Sequence, residues 1–149
     1  MKQSFAPNRG FNFVIHDDFE QDLDELERQS EALADLAADI SIYLDELREH
    51  PEQLARLLED RRIFNTGSSC DFDIRELVEA KRAHYNLWRI RILDDENTLG
   101  AFRIIYAYSP TDRTFYVLGL MPRAVNYDLR HPQLRRILEC YHDLGISKW

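Results

Sequence analysis

Between Asn86 and Asp128 the chain carries three short runs of branched and aromatic residues separated by turn chemistry, and nothing else in it constrains the fold as strongly. The runs are Leu87 to Ile92, Ala101 to Tyr108 and Thr114 to Met121. Such residues suit the pleated, half-buried surface of a strand. Successive side chains of a strand alternate between faces, so Trp88, Ile90 and Ile92 share one face while Arg89 and Arg91 share the other. In the second run Phe102, Ile104 and Tyr106 lie together and Arg103 lies opposite. Ser109-Pro110-Thr111-Asp112 supplies the turn, since proline presets φ and Ser and Asp bond the local backbone. The expectation is an antiparallel meander over 86–123, with one apolar face and one face bearing arginines.

Something must cover the apolar face, and the N-terminal half supplies it. Phe11 to His16 alternates partly and reads as a short strand beside the meander. Asp17 or Asp18 suits the start of a helix, where a carboxylate accepts backbone N–H bonds. Phe19, Leu23, Leu26, Ser30, Leu33, Ala37, Ile40, Leu44 and Leu47 then recur at spacings of four and three, a heptad seam. Ser30 is its one polar interruption and the place for a break; unbroken, the helix would span on the order of 45 Å. Pro51 suits the first turn of a second helix carrying Leu54, Leu57 and Leu58. An acidic helical hairpin over 17–60 follows, its seam packed on the sheet or, alternatively, pairing two copies as a homodimer. Residues 65–69 read as a loop, and 74–82 as a short helical turn or irregular chain. Leu134, Ile137, Leu138 and Tyr141 mark a closing helix from Pro132 to Leu144, with Gly145 as its stop. Residues 1–10, punctuated by Pro7 and Gly10, read as a flexible lead-in. The 149 residues predict a single α+β domain: an N-terminal strand and helical hairpin on a β-meander, closed by a C-terminal helix.

The net charge of −8 argues, taken alone, against a nucleic-acid partner, but its distribution changes that. Residues 17–60 hold 16 acidic and 3 basic side chains, a balance of −13; residues 81–136 hold 10 basic and 5 acidic, a balance of +5. The two cysteines, Cys70 and Cys140, form no disulfide framework. The first residues lack the apolar stretch of a signal peptide, and no apolar run approaches the roughly 20 residues of a membrane span. A reduced cytoplasmic protein away from membranes is expected. There is no phosphate-binding glycine loop, no Cys/His spacing for zinc and no serine flanked by glycines as a nucleophile. No cofactor and no metal is expected. The constellation that remains is cationic: Arg89, Arg91 and Arg103 on adjacent strands, Arg123 where the third strand ends, Lys81 just before and Tyr127 just after.

This ordered set resembles the RelE/ParE superfamily of small bacterial toxins. There a leucine–aromatic–arginine–hydrophobic–arginine strand precedes an aromatic–arginine–hydrophobic–hydrophobic–tyrosine strand, and a third strand ends in arginine near a tyrosine. The matching residues here are Leu87 to Arg91, Phe102 to Tyr106, and Met121-Pro122-Arg123 with Asn126-Tyr127. The resemblance runs from about Phe11 to Gly145. It implies a toxin held by a cognate antitoxin protein and acting as an endoribonuclease on mRNA in the ribosome. The other branch of the superfamily implies a DNA gyrase poison, and the scaffold also suits a binding module without catalysis.

For cleavage the ribose 2′-OH attacks the neighbouring phosphate. A base takes its proton, cations stabilise the added charge, and an acid protonates the leaving oxygen. Arginine offers a fork that matches phosphate oxygens but does not readily deprotonate. The expected catalytic residues are therefore Arg103 and Arg123 for charge, with Tyr127, Lys81, His131 and His84 as proton-transfer candidates. Arg89 and Arg91 are the expected RNA-binding residues.

Overall fold

The computed structural model describes residues 10–58, 61–63, 71–93, 102–122 and 128–146. The three runs form consecutive antiparallel strands: β4 (Leu87–Leu93), β5 (Phe102–Ser109) and β6 (Thr114–Pro122). They are the centre of a six-stranded sheet of order β1-β6-β5-β4-β3-β2. The fold is α+β. β1 (Asn12–Ile15) lies parallel to β6, with Phe13 beside Phe115 and Ile15 beside Val117. At the other side, β3 (Asp71–Glu76) pairs antiparallel with β4, and the short β2 (Arg61–Ile63) pairs with β3.

β3 corrects the expectation of helical or irregular chain over 74–82. Asp71-Phe72-Asp73-Ile74-Arg75 alternates polar and apolar, the period of a strand, and helix α3 (Val78–Arg82) begins only afterwards. The N-terminal seam does break at Ser30. That residue is extended (φ −166°, ψ 166°), and its Oγ accepts Leu33 N–H at 3.1 Å, ending α1 (Asp17–Gln29) and capping α2 (Glu31–Glu49). The segment from Pro51 is a 3₁₀ helix (Pro51–Leu58) rather than a second α-helix. Its eight residues are short for an α-helix, and a three-residue period sets Leu54 and Leu57 on one buried face. Tyr106 pins it by donating its hydroxyl to Leu57 O at 2.6 Å.

The seam faces inward. Phe19, Leu26, Ala37, Ile40, Leu44 and Leu47 are buried in one cluster with Ile74, Trp88, Ile90, Ile104, Tyr106, Phe115, Val117 and Leu120 of the sheet. The opposite face carries the arginines, as expected, and an apolar half beside them. Leu87, Ile105, Ala107, Leu118 and Met121 form an apolar half-face there, under Leu134, Ile137, Cys140 and Tyr141 of α4 (Pro132–Asp143). β6 carries a bulge at this point: Tyr106 pairs with Val117 and Ile105 with Gly119, which leaves Leu118 as the extra residue. A Cβ on Gly119 would stand 2.6 Å from Ile137 Cδ1, so the absent side chain is what lets α4 lie so close. The flexible lead-in expected at 1–10 falls almost wholly outside the described residues. Among those described, no helix is long and apolar enough to cross a membrane.

Candidate anion-binding face

The arginines gather on the same face, beside the half that α4 packs against. Arg89 and Arg91 alternate with the core residues Trp88 and Ile90, so they project on the α4 side. Across the ladder, Arg75 pairs with Arg89 and Asp73 with Arg91. On the other side of β4, Ile90 pairs with Ile104; the next residues along are Arg91 and Arg103. Arg75, Arg89, Arg91 and Arg103, on three adjacent strands, thus share one sheet face with Asp73.

Asp73 ties down two of them. Its Oδ2 accepts from Arg89 Nη1 at 3.1 Å, and its Oδ1 lies 3.3 Å from Arg75 Nε. Arg89 Nη1 also reaches the Asp73 carbonyl at 3.0 Å. Both side chains of the Arg89–Asp73 pair are about one-seventh exposed, 14% and 15%. Arg103 is buried at 6% exposure and donates from Nη1 to its neighbour's carbonyl, Phe102 O, at 3.1 Å. Arg91 differs from both. Its Nε–H is buried and finds no acceptor among the described residues. A buried donor without a partner carries a desolvation cost that a bound anion would remove.

The other expected residues divide between the two ends of the strands. His131 stands just before α4, and Gln133 shares a cleft with Phe102, Leu120 and Pro122, which sets this helix start at the Arg103 end. His131 Nδ1 accepts Gln133 N–H at 3.2 Å as the helix cap. Lys81 is not brought to the arginines. Its Nζ lies 3.3 Å from Glu76 Oε1, 64% exposed, beside a cleft of ≈ 430 Å³ lined by Leu58, Asn86, Trp88, Tyr108 and Pro110. That cleft opens on the other sheet face and at the far end of β5, five residues or roughly 17 Å from Arg103. His84 follows Lys81 in a turn with φ 70° and sits at the same far end. Arg123 and Tyr127 lie outside the described residues. Sequence reasoning missed Asp73 and Arg75, because the segment holding them was not read as a strand; its alternation was the available signal. Burial above all, then its hydrogen bond to Asp18, pushes the Cys140 thiol up to about 12, which favours the protonated form.

No protein-family model matches this chain. No curated protein matches it either. Among solved structures, a chain from the crystal structure of the archaeal RelE-RelB complex of Pyrococcus horikoshii OT3 aligns with 76% of this chain and 96% of its own length. The identity is 20% and the TM-score 0.39, too loose a likeness to carry an argument about chemistry or partners.

Proposed function

We propose that the chain is the toxin of a bacterial toxin–antitoxin pair: a metal-independent endonuclease that cuts mRNA on the ribosome and is held in check by a cognate antitoxin protein. The observation that carries this reading is Arg91, whose buried Nε–H has no acceptor among the described residues and lies on the face of Arg75, Arg89 and Arg103. A phosphodiester supplies what that face lacks: anionic oxygens matched to guanidinium forks. The strand motifs that resemble the RelE/ParE toxins support the same substrate. In this reading Arg91 and Arg103 hold the scissile phosphate and its developing charge, while Arg89, steadied by Asp73, contacts the RNA backbone. Arg123 enters by its sequence position at the end of β6, and Tyr127 and His131 are the proton-transfer groups. With Nδ1 of His131 engaged as the helix cap, Nε2 is its working nitrogen.

One observation favours a competing reading. Arg103 and Arg89 are held deep by local acceptors, as befits arginines that brace a sheet, and a gyrase poison or a non-catalytic binding module needs no more of them. Cleavage of mRNA on programmed ribosomes, run beside a gyrase supercoiling assay, separates the readings. Wild type should cut, and Arg91→Ala and Arg103→Ala should each lose about 10²–10³ in rate. Arg103→Lys should recover only part, because lysine lacks the two-pronged geometry. Tyr127→Phe should bind ribosomes yet cut slowly, and Lys81→Ala should cut like wild type. A wild-type chain that cuts nothing on ribosomes sinks the nuclease reading, and gyrase inhibition in its place would establish the alternative.

A further inference from the structure

β1 pairs with β6 only as far as Val117, whose carbonyl accepts His16 N–H at 2.9 Å. Beyond that point α1 and α4, which lie on opposite faces of the sheet, meet around the uncovered edge of β6. Two rungs join them. In one, Asp22 Oδ2 accepts from Arg136 Nη2 at 2.7 Å and from the strand's own Leu120 N–H at 3.0 Å. One helical turn away, residue 18 of α1 faces residue 140 of α4, and there the chemistry changes. Cys140 Sγ lies 2.9 Å from Asp18 Oδ2 and 3.7 Å from each ring nitrogen of His16. His16 Nδ1 is 4.0 Å from Asp18 Oδ1. A sulfur, an imidazole nitrogen and a carboxylate oxygen thus lie within 4.8 Å of one another, Cys140 buried and the other two half-buried.

That donor set and spacing are those of a transition-metal site. A tetrahedral Zn²⁺ with bonds of about 2.0–2.3 Å places its donors roughly 3.3–3.7 Å apart, and the three separations here bracket that range. Sulfur and imidazole discriminate against Ca²⁺ and Mg²⁺, which take oxygen. The geometry points to a Zn²⁺ site formed by His16, Asp18 and Cys140, which clamps the start of α1 to α4 across the open edge of β6. Its fourth position belongs to water, reached from the partly exposed side of His16 and Asp18. On binding, an Sγ–Zn bond forms and the thiol proton leaves to solvent. His16 exchanges a hydrogen bond for a metal bond, because Nδ1 now accepts Asp18 N–H at 3.0 Å as the cap of α1. The neighbouring Asp22–Arg136 rung holds the two helices at the distance the metal requires without itself being a ligand.

The test is titration of the full-length, untagged chain with Zn²⁺ against a chromogenic chelator, with Co²⁺ as a spectroscopic probe of thiolate ligation. Wild type should take one equivalent, show a sulfur-to-cobalt absorption band, and melt at higher temperature with Zn²⁺ than without. Cys140→Ser keeps a hydrogen-bond donor toward Asp18, and His16→Asn keeps a helix-capping acceptor, so both variants fold. Each should bind Zn²⁺ more than about tenfold more weakly, and Cys140→Ser should lose the cobalt band. Cys70→Ser should behave as wild type. Wild type that takes up no Zn²⁺, or Cys140→Ser and His16→Asn variants that bind it as tightly as wild type, would overturn the assignment.

Discussion

α4 packs closely on the bulge of β6, and Gly119→Ala tests whether that contact sets the position of the helix. The added methyl would meet Ile137 Cδ1 at 2.6 Å and Cγ1 at 2.9 Å, both inside van der Waals contact. Ile137 is fully buried, so it has no solvent to move into. Either its side chain leaves its rotamer or α4 lifts, and overpacking of this kind typically costs about 1–3 kcal/mol. For a chain of this size that lowers Tm by roughly 3–10 °C. The control is Ile137→Ala, which deletes both clashing atoms and by itself costs about 2–5 kcal/mol through the cavity it leaves. In that background the methyl of Gly119→Ala enters empty space, so its cost should vanish or reverse. The double-mutant cycle by urea denaturation should give a coupling of about 1–3 kcal/mol. Equal costs of Gly119→Ala in both backgrounds would refute the reasoning, for the strain would then lie in the backbone of the bulge and not in its contact with α4.

Three further outcomes are expected. Ser30→Ala removes the acceptor of Leu33 N–H and should lower stability by about 0.5–2 kcal/mol, measured by thermal melting, with Ser30→Asp close to wild type. Ile40→Ala, at a site 1% exposed within its own chain, should cost about 2–5 kcal/mol while sedimentation shows the oligomeric state unchanged. Asp112 is held below the ordinary carboxylate value of 3.8, chiefly by a hydrogen bond from Ser109 and also by Tyr116, whose hydroxyl donates at 2.9 Å. A depressed carboxylate stabilises the fold above its unfolded value and loses that contribution as pH falls through the lower folded value. Asp112→Asn should therefore flatten the acid limb of the stability profile below about pH 4 and leave its slope at neutral pH unchanged.

The elements legible in the sequence are those in which one period dominates. Trp88-Arg89-Ile90-Arg91 alternates without interruption, and the seam from Phe19 to Leu47 keeps its heptad spacing on both sides of Ser30. β3 was missed because six alternating residues beside a loop are a weak signal, and with it went Asp73, the carboxylate that pairs with Arg89. Two-sided burial was also there to be seen. Phe115 to Met121 and Ile104 to Ala107 are continuous apolar runs, the mark of a strand covered on both faces. Read only for alternation, they suggested a single apolar face and left α4 without a surface to cover. The approach of His16 to Cys140 is of another kind. The two residues are 124 positions apart, and only the turn of α1 and α4 around the edge of β6 brings them together. No spacing pattern could reveal that pair.

The electrostatics of the arginine-bearing half-face bear on the role proposed for it. Neighbouring strands set paired side chains about 5 Å apart. Like charges directly opposite each other there oppose folding unless a carboxylate stands between them. A face under selection for solubility alone would alternate signs across the ladder, because opposite charges there stabilise where like charges oppose folding. Here Arg75 pairs with Arg89 and Arg91 leads on to Arg103, while Asp73, the cross-strand partner of Arg91, bonds Arg89 and Arg75. Burial compounds the cost: Arg89 is nearly enclosed, and the Nε of Arg91 is sealed from water with no acceptor among the described residues. The apolar half of the same face is packed under α4 down to the missing Cβ of Gly119, so imprecise packing does not account for an unmet donor a few residues away. In the proposed reading the cluster forgoes stability at that spot for the sake of a ligand. In the reading proposed above, an anion reaching Arg91 would supply the acceptor that its Nε–H lacks among the described residues.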